Sequence, residues 1–154
     1  MQVFGPVQHV REECEKILRS LPQWFGIESA LIEYAEATNR FPTFVALADG
    51  ANVGFIALER HSQCEYEIHC IAVHCKFRAG GIGTALVSAA EAWTKAQGAT
   101  SIIVKTIAES HPSPEYRETR AFYQRRGFVA EKIIPDIWGP SYPCLQMRKD
   151  VQHG

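Results

Sequence analysis

Hydrophobic positions recur along this chain with two periods, and the switches between them mark out the elements. From His9 onward, Val10, Cys14, Ile17, Leu18 and Leu21 repeat at helical spacing, while Arg11, Glu12, Glu15, Lys16 and Arg19 take the other face. This predicts a helix over His9 to Ser20, stopped by Pro22. A second helix, about Glu28 to Thr38, sets Ile27, Leu31, Tyr34 and Ala35 on one side. Trp24 and Phe25 between the two helices read as core staples, with a cleft-lining role as the alternative. The period then drops to two. Thr43 to Ala48, Val53 to Arg60 and Glu65 to Val73 read as three strands of an antiparallel meander, with turn residues at Asp49-Gly50 and His61-Ser62-Gln63. A short edge strand over Gln2 to Val7, ended by Gly5-Pro6, precedes them.

Helical spacing returns from about Ile82 to Gln97, where Leu86, Ala89, Ala90 and Trp93 form a stripe and Gly98 supplies the C-terminal cap. Ser101 to Thr106 is the next strand, joined to its predecessor through a helix and therefore expected to lie parallel to it. Ser113 and Pro114 have the chemistry of an N-cap and first helical position, and that helix ends at Arg125-Arg126 before Gly127. Phe128 to Ile134 and Cys144 to Arg148 close the chain as strands, around a loop containing Trp138-Gly139-Pro140 that reads as either a cleft lid or a structural corner. The sum is one α/β (α+β) domain over residues 1–154. Its order is β-α-α-β-β-β-α-β-α-β-β, with a mixed central sheet of about seven strands and about four helices.

Composition narrows the function more than the fold. With 154 residues and 46% apolar content the chain can bury a core without disulfide or metal support. A net charge of −1 offers no basic field for nucleic acid and no polybasic run for a membrane surface. The N-terminus lacks the charged-then-apolar layout of a signal peptide, so a cytoplasmic location is the expectation. The five cysteines form no C-x-x-C pair, and buried or bystander thiols are expected rather than a metal centre. Cys75 stands apart, because neighbouring Lys76 and Arg78 favour its thiolate.

The chemistry concentrates between Ile71 and Leu86. An apolar strand end runs through His74-Cys75-Lys76-Phe77-Arg78-Ala79 into Gly80, Gly81 and Gly83, and a helix follows. Clustered glycines let a ligand approach the backbone, and the first amides of a helix lack partners at the positive end of its dipole. Together they form an anion cradle suited to phosphate or pyrophosphate. A P-loop would require Gly-Lys-Ser/Thr, and a dinucleotide fingerprint a third glycine where Leu86 stands.

What fits is R-x-x-G-x-G, carried by Arg78, Gly81 and Gly83, which resembles the acetyl-CoA-binding motif of the GNAT superfamily of N-acetyltransferases. Downstream, Ala121-Phe122-Tyr123 and Gly127-Phe128 are similar to the superfamily's A-x-x-F-Y-x-x-x-G-F run, one residue short between alanine and phenylalanine. The resemblance spans Glu65 to Phe128 by motif and nearly the whole chain by element order.

The resemblance implies acetyl-CoA as co-substrate and an amine acceptor, small molecule or peptide. Ile71, Ala72 and Val73 would pair with the pantetheine arm, with the Val73 amide facing the oxyanion. Arg78, Ala79, Gly80, Gly81, Ile82, Gly83 and Thr84 would hold the diphosphate. Glu67 matches the general base of histone-acetyltransferase members, and Tyr123 matches the tyrosine that many members use to protonate the departing thiolate. An alkylamine of pKa near 10.4 is neutral in roughly one part in a thousand at pH 7, so such a base has work to do. Strand alternation is expected to put Glu65, Glu67, His69, Ile71 and Val73 on one side, making His69 a relay for Glu67. His61, His74 and His111 carry no individual signal. Dimerisation is frequent in the superfamily, though no interface is legible here. Two other classes remain open: an acyl-CoA sensor without turnover, and an interaction protein that uses the fold as scaffold.

Overall fold

The computed structural model describes residues 1–151. Its elements are β1 (Gln2–Val7), α1 (Arg11–Arg19), α2 (Glu28–Ala37), β2 (Thr43–Ala48), β3 (Ala51–Arg60), β4 (Glu65–Val73), α3 (Ile82–Ala96), β5 (Ser101–Ile107), α4 (Pro114–Arg125), β6 (Val129–Ile134) and β7 (Cys144–Asp150). This is the order expected from the sequence. One further 3-10 turn, Cys75–Phe77, leads from β4 toward α3.

The seven strands form one sheet in the order β1-β2-β3-β4-β5-β7-β6. Every pairing is antiparallel except β4 with β5, the crossover made through α3. β1 spans Gln2–Val7, the expected range, with an irregular register against β2 between Phe4 and Val7.

Two apolar cores flank the sheet. On one face Ile82, Leu86, Val87 and Ala90 of α3, with Tyr123 of α4 and Phe128 beyond it, pack on Ile56, Leu58, Ile68, Ile102, Val104 and Met147. Trp93 anchors the far end of α3 edge-on to Phe44 and Tyr66, at 5.8 and 5.6 Å. On the other face α1 and α2 lay Cys14, Ile17, Leu18, Leu31 and Ala35 over Val45, Phe55, Cys70 and Ala72. Ile27, expected in that stripe, precedes the first turn of α2 and is exposed. α1 and α2 reach only the β1–β4 side of this face. Beyond them polar side chains cover the sheet: Arg148 bonds Glu65, Ser101 and Glu131, and Gln146 donates to Glu131. Among the described residues no helix is long and apolar enough to cross a membrane.

β4 departs from plain alternation. Ala57 pairs with Cys70 and Leu58 with Ile68, so His69 is an extra residue opposite nothing, a β-bulge. The bulge resets which way the strand faces. Tyr66 and Ile68 before it, and Ile71 and Val73 after it, all turn to the α3 core, while Cys70 and Ala72 turn to α1 and α2. The expectation that Glu67, His69, Ile71 and Val73 share one side is therefore corrected. Glu67, between Tyr66 and Ile68, lies on the α1–α2 face, across the sheet from Ile71 and Val73.

Candidate active site

β4 and β5 pair only from Glu65↔Ser101 to Ile68↔Val104. Both strands run on, to Val73 and Ile107, so a notch opens in the middle of the sheet where the bulge falls. His74 N–H donates to Val53 O at 2.8 Å across β3. Strand amides alternate in direction, so those of Val73 and Ile71 point away from β3 into the notch.

Beyond Val73 the chain makes its 3-10 turn and enters α3 at Gly81, whose φ of 77° is the left-handed conformation that favours glycine. No side chain caps this helix, and its first internal bond is Ala85 N–H to Gly81 O, 3.1 Å. The amides of Ile82, Gly83 and Thr84 are thus left for a ligand at the positive helix end. The glycines do different jobs. Space is open where a Cβ on Gly81 would stand, but one on Gly83 would lie 3.3 Å from the Phe122 ring. Gly83 therefore lets α4 close on α3 rather than clearing room for the ligand.

Side chains gather around this cradle from three directions. Arg126, which the sequence offered only as a helix-end cation, donates through Nη1 to Thr84 Oγ1. Arg78 stacks its guanidinium 4.2 Å from the Trp24 ring centroid and pairs with Glu118 at 3.3 Å. Trp24 Nε1–H in turn donates to Thr119 Oγ1, 3.2 Å, and the Tyr116 hydroxyl donates to Trp24 O, 3.4 Å. Trp24 packs on the α1–α2 core, as expected of a staple, and it also ties the α1–α2 loop to α4 beside the cradle.

Tyr123 is buried against Phe122 and Phe128, and burial pushes its phenol well above its ordinary range, with Cys70 and Tyr34 adding to the effect. The group is a hydroxyl, not a phenolate, at any physiological pH. Across the sheet Tyr34 is itself pushed up to about 12, chiefly by burial, and the nearby Glu33 and Glu67 carboxylates act in the same direction. Tyr34 also meets Phe25 at 5.7 Å and His69 at 5.2 Å, so an aromatic surface borders the α1–α2 mouth of the notch.

Glu67 is only 8% exposed. Its Oε1 receives His61 Nε2 at 2.7 Å and Lys105 Nζ at 3.2 Å. The histidine that touches Glu67 is therefore His61 and not His69. Among the described residues His69 makes no hydrogen bond to Glu67; it packs on Tyr34 and Phe41, and its Nε2 is buried without a partner. Burial holds its pKa below the usual histidine range. Donor atoms of Glu59, His61 and Glu67 lie within 4.8 Å of one another, but the Lys105 ammonium already neutralises Glu67, and the group reads as an ion-pair cluster. Cys75 is exposed, 3.8 Å from His74 Nδ1, and its amide bonds Ser20 Oγ.

A family model described as the acetyltransferase (GNAT) domain matches residues 39–130, more than half of the chain. No significant match is found among curated proteins. Among solved structures, a protein from Desulfovibrio desulfuricans assigned to the GNAT-family acetyltransferases superposes with a TM-score of 0.85 at 17% identity, covering 97% of this chain and 98% of that one. An aminoglycoside 6'-N-acetyltransferase complexed with coenzyme A gives 0.76 at 20% identity over 98% and 97%. The ribosomal-protein-S18-alanine N-acetyltransferase from Escherichia coli gives 0.77 at 15% over 99% and 95%. At such identities these likenesses establish the fold alone.

Proposed function

The chain belongs to the GNAT acetyltransferase family, and on that premise we propose that it moves an acetyl group from acetyl-CoA to an amine by direct attack in a ternary complex. One observation carries the reading. A notch in the sheet, edged by the amides of Ile71 and Val73, leads straight to an uncapped helix N-terminus. An extended, amide-bearing arm ending in a diphosphate matches that sequence of donors.

In this scheme the diphosphate takes the backbone from Arg78 through Ala79, Gly80, Gly81, Ile82 and Gly83 to Thr84, and the pantetheine arm extends along Ile71, Ala72 and Val73. The acetyl carbonyl then accepts from the Val73 amide, which stabilises the oxyanion as it forms. Glu67 takes a proton from the acceptor's ammonium group on the α1–α2 side. The neutral amine attacks, the C–N bond forms as the C–S bond breaks, and the proton shed by the acylated nitrogen reaches the departing thiolate through the Tyr123 hydroxyl, which gives one proton and takes one back on the α3–α4 side. The carboxylates of Glu67, Glu59 and Glu33 with the ring of Tyr34 favour a cationic acceptor, a small molecule or a peptide amine.

The test is release of free thiol from acetyl-CoA across a panel of alkylamines, aminoglycosides and peptide N-termini, alongside a thermal shift with CoA. Glu67→Gln and Tyr123→Phe are each expected to lower turnover on the order of 10²-fold while leaving the CoA shift in place. Thiol release indifferent to both variants sinks the assigned roles. A CoA shift without turnover of any amine points instead to an acyl-CoA sensor, and no shift at all to a scaffold.

A further inference from the structure

Glu67 presents two unlike oxygens. Oε1 is committed twice, to His61 Nε2 and to Lys105 Nζ, whereas among the described residues no donor reaches Oε2. The carboxylate is thus anchored by one oxygen, and the other keeps its lone pairs for an incoming proton. The His61 anchor arises from the β3–β4 hairpin. His61 N–H donates to Glu65 O at 2.9 Å, which closes the turn and carries the imidazole back over β4.

An imidazole nitrogen 2.7 Å from a carboxylate oxygen must carry its hydrogen, because two acceptors at that distance repel. Neutral His61 is then the Nε2–H tautomer, and the nitrogen left to titrate is Nδ1. The side chain is 35% exposed, so protons can reach it from water. When Nδ1 takes a proton the hydrogen bond persists, but its donor becomes a cation. Glu67 then faces two positive neighbours, His61 and Lys105, instead of one. An opposite charge this close favours the ionised carboxylate and so makes it a weaker base. The other ionisable groups around the pair are Glu59 on β3, Glu65 and His69 on β4, Cys144 on β7 and Tyr34 on α2. Of these Cys144 and Tyr34 feel the Glu67 charge and stay neutral across the range concerned. His69, held low by burial, remains neutral below the pH at which a solvent-reached imidazole charges.

We infer that His61 is the positioning residue of this site and its proton gate: as a neutral Nε2–H donor it holds Glu67 with Oε2 turned to the acceptor, and as an imidazolium it mutes the same carboxylate. The inference rests on Glu67 being the base. In the step it controls, a proton passes from the acceptor's ammonium nitrogen to Oε2, giving a neutral amine and a carboxylic acid, and His61 keeps its own hydrogen throughout.

Two measurements decide it. Nitrogen-15 NMR of the histidine rings in the whole chain, recorded from pH 5.5 to 9, reads tautomer and hydrogen bonding without any acceptor. His61 is expected as the Nε2–H tautomer when neutral, with an Nε2–H proton shifted downfield by its bond to Glu67 and returned toward the free value in Glu67→Ala. An Nδ1–H tautomer, or a proton shift unmoved by that substitution, overturns the inference. The second is the pH profile of kcat/KM for thiol release with the amine panel, read as a variant-to-wild-type ratio so that the acceptor's own ionisation cancels. His61→Gln keeps a neutral donor but has no charge to gain, so its ratio is expected to rise about tenfold from pH 8.5 to 5.5. His61→Ala loses the anchor and falls at every pH. If Glu67→Gln turns over like wild type, the base assignment itself fails. If Glu67→Gln is inactive while His61→Gln keeps a flat ratio, only the role of His61 fails.

Discussion

Three of the five thiols are shut inside the fold and two stand in water: Cys14, Cys70 and Cys144 against Cys64 and Cys75. Burial pushes the Cys14 thiol up to about 12, and that of Cys70 higher still. A raised thiol pKa means that the folded chain holds its proton more tightly than the unfolded one. The stability so gained is complete below the unfolded value of about 8.5 and is lost as pH climbs toward the folded value. The urea midpoint is accordingly expected to stay level from pH 7 to about 8.5 and then decline, with Cys14→Ala flattening the decline while lowering the neutral midpoint. Thiol titration checks the same burial, with Cys64 and Cys75 reacting in the native state and the other three only on unfolding. What was legible at this scale was residue type. A glutamate and a tyrosine at motif positions could be named, but the histidine bonded to Glu67 could not. His61 reaches Glu67 by folding back across a hairpin turn, and nothing local in sequence marks that contact.

Elements were read with the least loss. Ser113 caps α4 as its chemistry requires, accepting from Tyr116 N–H, and β2 and β4 begin and end where their alternation does. Those signals are local, which is why they survive in a bare sequence. The β4 bulge is not local. Strict period two carried through His69 assigns every later residue to the wrong face, and only pairing with β3 reveals the extra residue. The clamp on Trp24 and the bond from Arg126 to Thr84 escaped notice for the same reason, since each joins segments distant in sequence. Seating α3 on the sheet also needs a small residue that no motif announces. A Cβ on Gly54 of β3 would lie 3.2 Å from Ala72 O, 3.2 Å from Ile82 Cγ2 and 3.3 Å from Leu86 Cδ1. Gly54→Ala is expected to lift the N-terminal turn of α3 and to cost about 1–3 kcal/mol in urea unfolding. It should also weaken CoA binding, because the displaced turn carries the free amides of the cradle.

At the scale of the whole molecule, the sheet is a continuous strip at one end and a fork at the other. Its outer rims are managed conventionally: β6 is short, bulged at Glu131 and carries Lys132, features that discourage pairing with another chain. The fork between β4 and β5 is an inner rim with no such protection, because protecting it would close the site. This predicts an inversion of the usual pattern of hydrogen–deuterium exchange. Central strands normally exchange slowest, yet the amides of Ile71 and Val73 should trade their hydrogens at the pace of a frayed border, while Tyr66 and Ile68 a few residues earlier stay protected. Adding CoA should slow Ile71 and Val73 together by an order of magnitude or more, and unchanged exchange at both would show that the fork is not where the cofactor lies. In the proposed scheme the cofactor stands in for a missing strand, and the sheet is finished only when that strand arrives.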